Sequence, residues 1–493
     1  MTMTPRRLLA PSAIALAVLL SACASAPPAG PPQAVAATPQ LPAAWLAPLP
    51  HQGSPAELAR WWQRFDDPVL VALIDQAQAA SPTLQAATAR LAQARAEARQ
   101  ASAGLLPQVQ AGAQATRAQQ APDFKPATTS GAQFSASWEL DLFGRARANG
   151  AAAQAQADAA QAQWHEARVS LAADVASAYL ALRHAQAQEE IAELDVQAAE
   201  GLAQWGQLRR QRGLDSASDV ALLNTQRAAA VAVRADQRAQ TAIALQTLAL
   251  LTAKPAAELA PQLAPTAVQA PRLQRRIPAA PPFAWSALPP QTLAQRPDLA
   301  AAHQQWLAAA YSEQGVRAEA WPQLSLTGLI GNARLGWGSG STGGAVWSIG
   351  PSLSLPLFDG GLRQGQRDAA QARTAQAAAA FEARWRGAVA EVEEALQLVA
   401  SAGERQREAD TSQREWERIA ADATRLAQAG VQSGPQRAST FRNALSAYSA
   451  AVAIRHEHAQ AWVRLYRVLG GGFDANSAAS ATTASAQTAP TSN

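Results

Sequence analysis

Few residues in this chain are spaced for chemistry, and each candidate set is incomplete. Glu139 and Asp141 stand two apart in an alternating stretch, which would put both carboxylates on one strand face as an acid–base pair requires. No base, nucleophile or metal set accompanies them, so they read as polar lining of a wet surface. Gly338-Ser-Gly340-Ser-Thr-Gly343 spells a phosphate-cradling pattern. That pattern needs a helix after it; here a strand precedes and no helix follows, so a surface loop is expected. His456 and His458, at i and i+2 of a helix, point to different faces and read as solvated surface, not as metal ligands. The single cysteine, Cys23, leaves no disulfide and no thiol chemistry for the mature chain. No catalytic, metal or cofactor site is expected.

Cys23 carries a different chemistry. Arg6-Arg7, an apolar stretch through Leu20 and then small residues have a secretory signal layout. The stretch falls short of the ~20 residues of a membrane-spanning helix, and Pro11 interrupts it. Leu20-Ser21-Ala22-Cys23 closely resembles a bacterial lipoprotein signal, which implies removal of residues 1–22 and acylation of Cys23. Ala24, not Asp, follows the cysteine, which by the same resemblance implies delivery to the outer membrane. Several acyl chains would anchor stably, each buried methylene adding ~0.8 kcal/mol. Ser25 to Pro42, rich in Pro and Ala, reads as an extended tether. The alternative is an ordinary signal with an incidental cysteine.

The elements that position everything else are written twice. Pro82 and Leu84 recur as Pro297 and Leu299, Pro107-Gln108 as Pro322-Gln323, and Leu142-Phe143 as Leu357-Phe358, all at an offset of 215 residues. Farther on the offset slips by two, with Gly213 and Ser216 matching Gly430 and Ser433. Such self-similarity means two copies of one structural unit. Hydrophobic residues make up 48% but aromatics only 5%, so alanine dominates and long, close-packed helices are favoured over a globular core. The formal charge of +4 includes Arg6 and Arg7, and the remaining arginines are interspersed with acids. No basic block suited to nucleic acid results.

Each copy predicts a strand pair. Phe134, Ala136, Trp138, Leu140 and Leu142 oppose Ser135, Ser137, Glu139 and Asp141; Trp347, Ile349, Leu353, Leu355 and Leu357 oppose Ser348, Ser352 and Ser354. Period-two alternation over ~10 residues fits a transmembrane β-strand, and equally a half-buried strand of a soluble sandwich. In a membrane, four strands cannot close a barrel and an open edge is not tolerated, so the chain would have to pool strands with copies of itself, two chains giving eight strands and three giving twelve. Thr116–Ser130 and Asn332–Gly344 are expected as polar or glycine-rich loops. Arg145–Arg212 and Gln364–Ala429 lack proline, and each predicts a helix of ~100 Å. Val175, Ala178 and Leu182, or Val392, Ala395 and Val399, supply coiled-coil-like seams. Each long helix ends in a turn, Gly213-Leu-Asp-Ser216 or Gly430-Val-Gln-Ser433, and a return helix follows to about Leu251 or Leu469.

The chain resembles outer membrane factors of the TolC and OprM type, specifically their NodT-like lipoprotein efflux subunits. The resemblance runs from Cys23 to about Phe473. Its marks are Trp61-Trp62 with Phe65-Asp-Asp-Pro68, Ser137-Trp-Glu-Leu-Asp-Leu-Phe-Gly-Arg145, Leu288-Pro, Arg296-Pro-Asp-Leu299, Ala320-Trp-Pro-Gln-Leu324, Leu355-Pro-Leu-Phe-Asp-Gly-Gly361 and Leu469-Gly-Gly-Gly472. It implies a mixed α and transmembrane β fold and a homotrimer, with a twelve-stranded barrel in the outer membrane continuing into a periplasmic helical tunnel. The implied function is a passive exit duct for small toxic compounds, docked to a periplasmic adaptor and an inner-membrane pump. An exit duct for secreted proteins or peptides is the alternative, and a coiled-coil envelope lipoprotein without a pore is more distant.

The implied organisation is a signal at 1–22, an anchored tether and equatorial segment at 23–80, repeat 1 at 81–251 (hairpin 107–143, tip 213–216), a linker at 252–295, repeat 2 at 296–470 (hairpin 322–358, tip 430–433) and a disordered tail at 471–493. Gly213, Ser216, Gly430 and Ser433 would shape the adaptor-contacting tips, and Glu139 and Asp141 would line the barrel lumen. Asp219 fits the place where many relatives carry an acid at the tunnel mouth; the second copy has Gln436-Arg437 there. Arg437 is expected either to form a positive ring, to pair with an acid on a neighbouring helix, or to be simply solvated. Two further departures are Gln295 before Arg296, where the family commonly has a second arginine, and His303, where an acid often stands.

Overall fold

The computed structural model describes residues 61–65, 67–119, 126–264, 277–282, 293, 295–337 and 340–472. The expected signal, Cys23, the tether, part of the linker and the tail beyond 472 lie outside these residues. A short 3₁₀ turn at Trp61–Phe65 is followed by α1 (Pro68–Ala80), and then the repeats unfold in the same order. The first is α2 (Pro82–Ala103), β1 (Gln108–Ala118), β2 (Ala127–Leu140), α3 (Arg145–Gln211) and α4 (Ala217–Thr252). A short helix, α5 (Ala256–Leu263), intervenes. The second is α6 (Pro297–Ala318), β3 (Gln323–Trp337), β4 (Gly340–Ser354), α7 (Leu362–Gln428) and α8 (Gly434–Val468). α2 and α6 both have 22 residues, α3 and α7 both 67, and α4 and α8 have 36 and 35, so the duplication seen in sequence is a duplication of structure.

The chain divides into two compact units, and each takes segments from both repeats. Among the described residues the first holds 90–119, 126–160, 302–337 and 340–381. Its centre is one antiparallel sheet in the order β1-β2-β3-β4, with both outer edges unpaired among the described residues. The strands are longer than the sequence suggested. β3 and β4 remain paired to Trp337↔Gly340, and β1 and β2 to Ala118↔Ala127, so most of the two expected loops is strand. Glycine was the misleading signal. A Cβ on Gly343 would sit 2.8 Å from the Ala333 carbonyl oxygen, so glycine there answers close strand approach rather than a turn. The expected phosphate-loop look-alike is thus corrected: Gly340 to Gly343 lie in β4.

The second unit holds, among the described residues, 61–65, 67–89, 161–264, 277–282, 293, 295–301 and 382–472. Its core joins Trp61, Leu70, Tyr179, Leu182, Leu248 and Leu465, all essentially inaccessible to solvent. Val175, Ala178 and Leu182, and likewise Val392, Ala395 and Val399, are buried as the seams required. Alanine lets the helix backbones approach, while a few large side chains supply most of the area removed from water. Asp67 caps α1, its Oδ1 accepting from the Val69 and Leu70 N–H groups at 3.1 and 3.4 Å. Its other oxygen accepts from the Tyr179 hydroxyl at 2.6 Å, tying α1 to α3. No described helix is long and apolar enough to cross a membrane.

Candidate functional site

The sheet sorts its residues by face. Pairing aligns Ala111, Phe134, Ile330 and Trp347 in one row across all four strands, and Val109, Ala136, Gly328 and Ile349 in the next. Val109, Phe134, Ile330, Trp347, Ile349 and Leu353 stay more than half exposed, a contiguous apolar surface of the kind that marks a protein or membrane interface. The opposite face pairs Gln110, Ser135, Leu329 and Ser348, then Gln108, Ser137, Thr327 and Gly350. It is mainly polar and, save for Glu139, without charge in the described strands.

Glu139 and Asp141 do not form a pair. Glu139 is held by Arg145, whose Nε and Nη2 donate at 3.1 and 2.5 Å. Asp141 lies beyond the end of β2 and closes the start of α3, accepting from the Ala146 and Arg147 N–H groups at 3.0 Å each and from Arg147 Nε at 3.1 Å. Each carboxylate therefore fixes the strand-to-helix junction, and Asp141 lies past the last residue of β2 rather than within the strand. Among the described residues no group of three His, Cys, Asp or Glu could hold a metal.

The two tips are built alike. Gly213 and Gly430 adopt φ of +73° and +72°, a left-handed conformation that closes α3 and α7 and that other residues resist. The Leu214 N–H reaches the Arg209 carbonyl and the Val431 N–H reaches that of Leu426, both at 2.9 Å. Ser216 and Ser433 then cap α4 and α8 through reciprocal capping boxes. In the first, the Asp219 N–H donates to the Ser216 hydroxyl oxygen at 3.1 Å and the Ser216 N–H donates to the Asp219 carboxylate at 3.0 Å. In the second, Gln436 takes the position of Asp219, its Oε1 accepting from the Ser433 N–H at 3.1 Å. Gln436 therefore keeps the cap while losing the charge, and the acid expected at this offset is a cap residue. Donation from the Ser216 hydroxyl and N–H holds the Asp219 carboxyl below its ordinary range.

Sequence reasoning missed two kinds of residue here. Leu214 and Val431, each one position after its glycine, leave 62% and 75% of their surface exposed at the apices. Their signal was the repeated Gly-apolar-x-Ser spelling. Arg442 of α8 grips Asp195 of α3 at 2.6 and 3.1 Å and reaches Gln226 of α4 at 3.4 Å, locking three helices near the tips. A cleft of about 660 Å³ lies beside it, lined by Ile191, Leu223, Pro435 and Asn443 among others. Nothing in a single sequence pairs residues 247 positions apart. Arg437 is exposed and makes no ion pair with the described residues.

The histidines also depart from expectation. His456 is half-buried, its ring stacked on His184 at 4.7 Å between α8 and α3, and burial followed by the neighbouring imidazole pushes it down to about 4. His458 is half-buried too and accepts from the Trp462 indole at 3.0 Å. His303 packs edge-on against Phe381 at 5.6 Å.

Comparison with known proteins fits this geometry. The family described as outer membrane efflux protein matches residues 73–254 and 288–471, one segment per repeat. The chain is 29% identical over 461 residues to the pyoverdine export outer membrane protein OpmQ of Pseudomonas putida, covering 88% of this chain and 93% of that one. It is 30% identical over 478 residues to the outer membrane protein OprJ of Pseudomonas aeruginosa, covering 94% and 96%. The solved outer-membrane channel OprN superposes with a TM-score of 0.75 at 27% identity, over 88% of this chain and 98% of that one. The fold read from the sequence, two tandem repeats of β-hairpin and long helices, is the fold of such channels. With the family matched over both repeats, the chain belongs to the outer membrane efflux proteins, a family of channels and not of enzymes.

Proposed function

We propose that three copies of this chain pool their sheets into a twelve-stranded outer-membrane barrel that continues into a helical tunnel. Small toxic compounds would leave through it, delivered by a periplasmic adaptor and an inner-membrane pump. The observation that carries this is the four-stranded sheet: apolar on one face, wet on the other, unpaired at both edges, and leading within a few residues into 67-residue helices. In lipid such edges must close against other copies. The relatives named for export and efflux support small-molecule cargo.

The finer assignments follow from the same reading. Cys23 would carry the acyl anchor, and the boundaries set out from the sequence would separate tether, repeats and linker. Gly213, Ser216, Gly430 and Ser433 would hold Leu214 and Val431 at the apices as the apolar contacts for an adaptor. Asp219 and Arg437 would stand near the aperture. With no ion pair among the described residues, Arg437 would face two neighbours across a threefold axis and form a positive ring. Single-channel recordings of Arg437→Ala should then show ion preference moving toward cations; unchanged preference would leave it a solvated arginine.

The function itself is tested by dye accumulation and antibiotic susceptibility in a deletion strain and its complemented parent. Higher accumulation reversed by the intact gene is expected. Unchanged accumulation together with loss of a secreted polypeptide would replace small-molecule efflux by protein export. The same strains report the anchor, because labelled palmitate should enter the intact chain but not Cys23→Ser.

A further inference from the structure

The described strands carry three charged residues, and they are not scattered. Glu139, at the helix end of the sheet, is matched by Arg145. Arg117 and Arg334 stand at the opposite, hairpin end, and both belong to the apolar face. Pairing places Arg334 in the row of Ala115, Ser130 and Gly343, and Arg117 in the next row with Thr128, Gly336 and Ser341. These are the register positions that continue the rows of Phe134, Ile330 and Trp347. A cation on a lipid-facing surface is unfavourable within the hydrocarbon and tolerated only near an interface.

Spacing locates that interface. From the row of Leu140 and Leu324 to that of Ala132 and Asn332 the face carries no charge over nine positions per strand. Eight steps at ~3.4 Å and a tilt of ~40° give ~21 Å of height, against an apolar band of ~25 Å. Arg334 falls two residues farther, at ~26 Å, and Arg117 at ~31 Å, so both sit beyond the hydrocarbon at headgroup depth. Both side chains are exposed, and Arg334 Nη2 donates to Ser341 Oγ at 3.1 Å, which leaves most of its donors available. No carboxylate of the described strands shares this end of the face. Guanidinium groups match phosphate with paired donors and are only weakly hydrated.

We propose that Arg117 and Arg334 form a binding site for phosphate-bearing lipid headgroups of the outer leaflet. The proposal rests on the barrel reading above. In a trimer the site repeats as six arginines around the rim, where the headgroups meet the hairpin end of every sheet.

The test is lipid titration of the purified full-length protein followed by native mass spectrometry, with bis-phosphorylated lipid A and its dephosphorylated form as the probes. The intact protein should prefer the phosphorylated lipid. Arg117→Gln with Arg334→Gln should weaken that binding about thirtyfold, to the level of the dephosphorylated lipid. Arg117→Lys with Arg334→Lys should stay within about threefold of the intact protein, because the charge remains. Equal binding of the two lipids by the intact protein, or unchanged binding by the glutamine variant, would overturn the proposal. Reconstitution into neutral phosphatidylcholine vesicles separates the two readings: failure of the intact protein to insert and conduct there would count against the barrel, not against the arginines.

Discussion

Arg296→Ala should destabilise the folded chain by about 3–5 kcal/mol, because it strands a buried carboxylate. Arg296 and Asp298 are 7% and 8% exposed, and their contact is bidentate at 3.0 and 2.8 Å. The same guanidinium reaches Glu391 of α7 at 2.6 Å and the Val468 carbonyl at the end of α8 at 3.0 Å. One side chain thus joins the start of α6, the middle of α7 and the end of α8. Burial alone would raise the Asp298 carboxyl; the bonds and charge of Arg296, with Arg384 at 3.6 Å, hold it below its ordinary value instead. A depressed folded-state value contributes stability above the unfolded value of 3.8, and that stability is lost as pH falls through the folded value. Arg296→Ala should therefore unfold at lower temperature at neutral pH and lose less on acidification than the intact protein. Arg296→Met with Asp298→Leu should recover much of the loss, since no charge is left buried. Thermal unfolding followed by circular dichroism, at one protein concentration, reads all three. A loss under about 1 kcal/mol for Arg296→Ala would show that water solvates the cluster.

Arg296-Pro-Asp-Leu299 was legible as a marker of the second repeat, yet its physical role was not, because Glu391 and Val468 are remote in sequence. The same division runs through the molecule. Local periodicity exposed the strands, the seams and both 67-residue helices, since each depends on neighbours along the chain. The tip glycines were legible because only glycine takes that φ without strain. Strand length was not: Gly340 to Gly344 look like a loop until the partner strand is seen against them. Asp219 and Gln436 looked like a charge lost from an aperture, and the structure makes them interchangeable caps, a role that asks for an acceptor oxygen and not for charge. His456 was misread because its i+2 neighbour was weighed and its stacking partner, His184, lay 272 residues away.

Trp61→Ala should lower stability by about 3–5 kcal/mol, the range for removing a large aromatic from a packed core. Trp61 has no exposed surface and packs against Trp62, Phe65 and Tyr466 with ring centroids at 4.7, 4.8 and 5.2 Å. Its indole N–H donates to the Pro281 carbonyl at 2.9 Å. The substitution therefore opens a cavity and strips a carbonyl of its donor. Trp61→Phe keeps most of the volume but loses that bond, so a smaller loss of about 1–2 kcal/mol is expected. The damage should also be local in a predictable way. α1 keeps its Asp67 cap and the Tyr179 tie, neither of which passes through Trp61. Limited proteolysis of Trp61→Ala should cleave ahead of Asp67 well before the long helices, releasing the N-terminal segment that carries Cys23. Cleavage spread evenly along the chain would instead show that the aromatic cluster holds the second unit together, and that the N-terminal segment is part of its core.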